Sequence, residues 1–176
     1  MGLLFGGVLF TGCGSTSTDT TKHVEPNVIT TQNVLSSTTI ITTNGKAISV
    51  DKTEDGFIFK GYEGKIILLE VYGDTCPHCI AAIPSYNAIQ AKYPNDVRVI
   101  ALESYGTLSN IGQQQYETVA KQSTGTMFSM IKEHTGYNLQ AVPYLMILSK
   151  DGSIVYDEVL SDFPEEVIDT RIKQLL

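Results

Sequence analysis

From Ile66 to Tyr72 the chain is apolar at every position except Glu70, a run that suits a central strand covered on both faces. Residues 77–93, PHCIAAIPSYNAIQAKY, repeat their apolar side chains at helical spacing, with Pro77 early enough that its missing N–H costs nothing. Pro84 removes the bond to Ile80 and is expected to kink this helix, which Tyr93-Pro94-Asn95 ends. VRVIALES, 97–104, reads as a second strand parallel to the first. Strand, helical crossover and parallel strand imply a right-handed unit.

Upstream, TTIITTNGKAISV sets β-branched runs either side of Asn44-Gly45, predicting strands near 38–43 and 46–50 joined by a two-residue turn. GFIFKGY adds a short extended piece. Downstream, a polar stretch from Tyr105 to Gln140 predicts helices near 112–122 and 126–135. AVPYLMILSKDGSIVYDEVL reads as two strands turned at Asp151-Gly152. Asp162-Phe-Pro-Glu165 has the form of a capping box, opening a helix with Val167, Ile168, Ile172 and Leu175 on its apolar face. No internal repeat is present.

With 176 residues, 42% of them hydrophobic, the chain can build one domain with a substantial core. Its net charge of −7 and the lack of a dense Lys/Arg cluster argue against nucleic acid as a partner. Three cysteines are present, Cys13, Cys76 and Cys79. The apolar run GLLFGGVLFTG before Cys13 is too short to span a bilayer as a helix and fits the core of a secretory signal. LFTGC resembles a bacterial lipobox. That resemblance implies a lipoprotein signal peptide over residues 1–12 and a lipid on Cys13, which would hold the chain to a membrane of the bacterial cell envelope. Between Ser15 and Thr43, 14 of 29 residues are Ser or Thr, too polar to offset the entropy of ordering. The expected organisation is a flexible tether over 13–37 and one folded domain over 38–176.

The chemistry is concentrated in DTCPHCIAAIP, 74–84. A cysteine at a helix N-terminus faces unpaired N–H groups and the positive end of the helix dipole, which favour thiolate and make Cys76 the expected nucleophile, exposed at the helix start. Cys79, one turn in, is placed to resolve a mixed disulfide. A histidine beside the thiolate stabilises the reduced form, so His78 pushes the couple towards oxidising others. Glu70, if buried, has a raised pKa and can accept the Cys79 proton. Zinc would need two further ligands, and no second cysteine pair exists, so no metal is assigned. As a structural staple, a disulfide between cysteines three apart removes little chain entropy.

Strand, Cys-x-x-Cys at a helix start, strand, helical connection, β-hairpin and closing helix together resemble the thioredoxin superfamily over roughly residues 55–176, with an anchored TlpA/ResA-type organisation and a DsbA-like Cys-Pro-His-Cys motif. The resemblance implies an α/β fold: a central mixed β-sheet flanked by helices, an N-terminal β-hairpin and a helical insertion before a cis-proline. It places Cys76 and Cys79 in the redox couple, Pro77 and His78 as residues that tune it, Pro84 as the kinking proline and Glu70 as the buried acid. Pro143 falls at the cis-proline, with Val142 before it offering main-chain hydrogen bonds to substrate polypeptide. The implied activity is thiol-disulfide exchange with envelope proteins. It needs no cofactor beyond the Cys76–Cys79 disulfide and uses a membrane redox partner that recycles the dithiol. The motif leans towards an oxidising or isomerising role. The alternatives are a reductase serving cytochrome c maturation and a non-catalytic binding lipoprotein on the same scaffold.

Overall fold

The computed structural model of the protein describes residues 32–106, 108–109 and 114–176. The expected signal peptide, Cys13 and most of the expected tether lie outside them. Two sheets form. Strands β1 (Ser36–Ile41), β2 (Ala47–Lys52) and β3 (Phe57–Phe59) make a small antiparallel sheet. The larger sheet has the order β6-β5-β4-β7-β8, from β4 (Ile66–Tyr72), β5 (Val97–Glu103), β6 (Glu117–Val119), β7 (Tyr144–Leu148) and β8 (Ile154–Val159). β4 pairs parallel with β5 and antiparallel with β7, so this sheet is mixed.

Because side chains alternate along each strand, the central sheet sorts them into two layers. Ile67, Leu69, Val71, Ile100, Leu102, Met146 and Leu148 face the small sheet and helix α2 (Gly125–Thr135), which contributes Met127, Met130 and Ile131. Ile66, Leu68, Val97, Val99, Leu145 and Ile147 face α1 (Pro77–Lys92) and α3 (Glu165–Leu175), meeting Ala82, Tyr86, Ile89, Ile168 and Ile172. Every residue of β4 is buried. The helix α1 continues through Pro84 without interruption.

Four local expectations need correction. The first hairpin does not turn at two residues. Ile41 pairs with Ala47, the Thr42 N–H still donates to the Lys46 carbonyl across the loop, and Thr42 also bridges Val119 while the Thr43 N–H donates to the Thr118 carbonyl. Pairing with β6 therefore ends β1 early, and the Asn44 side chain bonds Thr42 and Lys46 across the longer loop. Second, no helix covers the described part of 112–122. Thr118 and Val119 join the sheet through β6, parallel to β5, and only a 3-10 turn over Lys121–Ser123 follows. The helical insertion is thus α2 alone among the described residues. Third, α3 starts at Glu165 with Pro164 as its cap and no side-chain cap bond, so the capping box does not form. Fourth, Val167 on that helix is exposed, and the buried face is Ile168 and Ile172 with Leu175 half-buried.

The small sheet is joined to the large one at a close approach of two glycines. The Phe57 N–H donates to the Gly152 carbonyl and the Ile154 N–H to that of Asp55. A Cβ on Gly56 would lie 2.2 Å from the Gly152 carbonyl oxygen, and one on Gly152, at φ +91°, would lie 2.6 Å from that of Phe57. Only glycine fits either place.

Candidate active site

Cys76 is the N-cap of α1, and Pro77 opens the helix as sequence spacing predicts. The Cys79 N–H donates to the Cys76 Sγ across 3.4 Å, one of the backbone donors that a helix start leaves over. Both cysteines are free thiols. The Val142–Pro143 peptide bond is cis, and the Val142 carbonyl oxygen lies 3.6 Å from the same sulfur. The loop carrying Val142 thus reaches the reacting end of the helix.

Cys76 is less open than expected, only 8% exposed, because Val142 packs over it together with Tyr72, Ala101 and Tyr116. Cys79 is more deeply covered at 1%, so access still ranks Cys76 first. Pro77, His78 and Pro84 are exposed. Burial is the main cause that pushes the Cys79 thiol far above its ordinary pKa. The hydrogen bond with Cys76 and the nearby charge of Glu70 act in the same direction. Cys79 therefore needs a base before it can attack.

Glu70 is buried in the middle of β4, between Ala101 on β5 and Leu145 on β7. Its Oε1 has no hydrogen-bond partner, and burial holds its carboxyl well above the usual carboxylate range. An acid of this kind holds its proton to a higher pH than a solvated carboxyl, and can accept one only after losing its own.

Sequence reasoning missed several residues around the thiols. Gly73, next to the motif, leaves room for the Tyr105 ring, which would lie 2.4 Å from a Cβ there. Glu103 accepts the Tyr105 and Gly106 N–H groups at 2.5 and 2.6 Å, and Asp74 accepts that of Ser109, so two buried acids pin the loop after β5 against the site. Tyr137 stacks on Tyr144 at 3.8 Å between ring centres beside the cis-proline loop. The glycine before the motif was the one available signal; the rest depends on loop packing. His134, outside the site, sits in the last turn of α2 with its ring 5.7 Å from that of Phe57. Among the described residues no group of three or more His, Cys, Asp or Glu side chains is arranged to hold a metal ion, and no helix is long and apolar enough to cross a membrane.

No protein-family model matches the sequence, and no curated protein does. Solved structures do match the fold. An exposed lipoprotein thioredoxin of Streptococcus pneumoniae is 16% identical, with a TM-score of 0.59 over 80% of this chain and 100% of its own. A thiol:disulfide interchange protein from Bacteroides sp. is 14% identical, with a TM-score of 0.57 over 82% of this chain and 89% of its own. StoA from Bacillus subtilis is 14% identical, with a TM-score of 0.54 over 77% of this chain and 95% of its own. The mixed sheet, the Cys-Pro-His-Cys helix start and the cis-proline loop opposite it together form a thioredoxin-like fold.

Proposed function

We propose that this chain is a thiol-disulfide oxidoreductase of the bacterial cell envelope that exchanges disulfides with protein partners through Cys76 and Cys79. One observation carries the reading: the Cys76 sulfur sits at a helix N-cap, against the Val142 carbonyl, with the protonated Cys79 thiol and the neutral Glu70 behind it. In the oxidising direction a partner thiolate attacks Cys76 of the Cys76–Cys79 disulfide. The S–S bond breaks, its electron pair passes to Cys79, and Cys79 takes a proton from Glu70. A second partner thiolate then attacks the mixed disulfide and expels Cys76 as thiolate. The partner has lost two electrons and the couple has gained two. In the reducing direction the same steps run backwards: Glu70 first releases its own proton, and its carboxylate then accepts the Cys79 proton as Cys79 attacks.

His78 beside the Cys76 thiolate favours the reduced couple and hence the oxidising direction. Pro77 holds His78 at the helix start. Partner polypeptides bind as an added strand along Val142 before the cis Pro143. Lipidation at Cys13 keeps the domain at the membrane, where a redox partner recycles it, and one similar structure is itself titled a lipoprotein.

The reduction potential of the couple tests the direction. A value near about −120 mV supports a disulfide donor, and one near about −270 mV overturns that direction in favour of a reductant. Turnover of a protein disulfide or dithiol tests the activity. A Cys76→Ser variant as active as the parent would replace this reading with that of a binding lipoprotein.

A further inference from the structure

Gly73 follows β4 directly, and its carbonyl accepts the Cys76 N–H at 3.0 Å, closing the turn that carries the nucleophile. Gly73 is buried, and its φ is not in the left-handed region that favours glycine. What glycine supplies there is room. A Cβ on Gly73 would lie 2.4 Å from the Tyr105 ring, and its three nearest neighbours would all be atoms of that ring. The turn before Cys76 is thus the seat of Tyr105.

Tyr105 is held from its own side as well. Its N–H and that of Gly106 both donate to the buried Glu103 carboxylate at the end of β5, while the Ser104 N–H and hydroxyl both donate to the Tyr72 carbonyl. The backbone that carries the ring is therefore fixed. The side chain is nonetheless 49% exposed, so part of it rests on Gly73 and the rest faces solvent. Burial raises the pKa of its hydroxyl, and thiolate charge on Cys76 and on Cys79 adds to this, so the group stands within the field of both sulfurs. An aromatic ring mounted beside the dithiol with its outer part uncovered is a pre-organised contact: few torsions are lost when a partner covers it.

We propose that Tyr105 is a specificity residue for the exchange: its open ring surface takes the apolar side chain next to the partner's cysteine, while the partner's main chain runs along Val142. The substrate class is then polypeptide with an aliphatic or aromatic residue beside the reacting cysteine, in preference to small polar disulfides. The inference rests on Cys76 as the attacking thiol.

The test uses the reduced full chain and three probes: the disulfide dimer of a short peptide with Leu on either side of its cysteine, the same peptide with Ser there, and hydroxyethyl disulfide. Cys76 attacks one probe sulfur and expels the first thiolate. Cys79 then attacks Cys76 and expels the second, so two electrons pass from the dithiol to the probe. In the wild type the second-order rate for the Leu peptide exceeds that for the Ser peptide about tenfold. Tyr105→Ala abolishes this preference and leaves the rate with hydroxyethyl disulfide unchanged, whereas Tyr105→Phe keeps the preference. Gly73→Ala, whose methyl displaces the ring, weakens the preference too, and has no further effect on it in the Tyr105→Ala background. A preference that survives Tyr105→Ala overturns the proposal. So does an equal fall with all three probes, which would place the effect on the thiol itself. A Cys76→Ser chain as reactive as the wild type overturns instead the reading on which the proposal rests.

Discussion

The two faces of the central sheet are built from alternate residues of the same strands, yet they differ in the buried polar atoms that they leave unpaired. On the face covered by the small sheet and α2, the tyrosines are satisfied: Tyr144 bonds Asp157, Tyr137 bonds Ala141 and Tyr62 bonds Glu117. On the face covered by α1 and α3, Glu70, Tyr72, Tyr86 and Tyr116 keep buried oxygens without partners, and they gather towards the dithiol. Leu69 and Glu70 are neighbours in sequence and point to different worlds. One face is optimised for stability, and the other tolerates a cost where proton chemistry needs it.

The comparison breaks most visibly if an acid is moved one residue. Leu69→Glu places a carboxyl among Ile67, Val71 and Met146 with no use for it, and should destabilise the fold by about 4 kcal/mol or more, read from the urea midpoint. Glu70→Leu, on the other face, should be neutral or stabilising while halting resolution by Cys79. A stable Leu69→Glu protein would mean that the dry face is not dry.

The glycine seam closes that dry face. Gly56→Ala forces its methyl against the Gly152 carbonyl and should cost about 2–4 kcal/mol, because backbone on both sides must shift. Its pH–rate profile for disulfide exchange should match the wild type, since nothing at the dithiol touches the seam. A shifted profile would show that the two faces are coupled.

The third test concerns pH. Glu70 has a folded pKa above its unfolded one, so below the unfolded value both states hold the proton and the carboxyl contributes nothing. As pH rises past the unfolded pKa, only the unfolded state releases the proton. Stability should then fall relative to Glu70→Gln by about 1.4 kcal/mol per pH unit until the folded pKa is reached. Parallel stability curves for the two proteins above pH ~4.5 would refute the raised pKa.

The smallest effect compares two hydroxyls. Tyr144→Phe loses a bonded hydroxyl and leaves Asp157 without it, at a cost of about 1 kcal/mol in thermal unfolding. Tyr86→Phe removes an orphaned hydroxyl and should be neutral or slightly stabilising. Equal losses at both positions would mean that Tyr86 has a protein or water partner.

Elements whose signal was continuous could be read directly. The apolar run of β4, the helical spacing and early proline of α1, and the Asp151-Gly152 turn that splits β7 from β8 each specify their own structure locally. Elements that depend on a distant strand could not. Thr42 closes the first hairpin against Lys46 and also bridges Val119, and pairing of β6 with β5 puts a strand in the described part of the expected 112–122 helix. Asp162 has the right spacing for a capping box, yet the helix begins later and leaves it unused.

By itself the sequence determined the dithiol at a helix start, a local consequence of spacing, while Glu70 as the buried acid and Pro143 as the proline opposite were legible only through resemblance to a known family. Only the tertiary structure decided that Glu70 is buried with an unpartnered oxygen and that Val142 covers Cys76. These depend on which loops and faces meet. Contacts between residues far apart in the chain leave no periodic trace in it, and only packing brings them together.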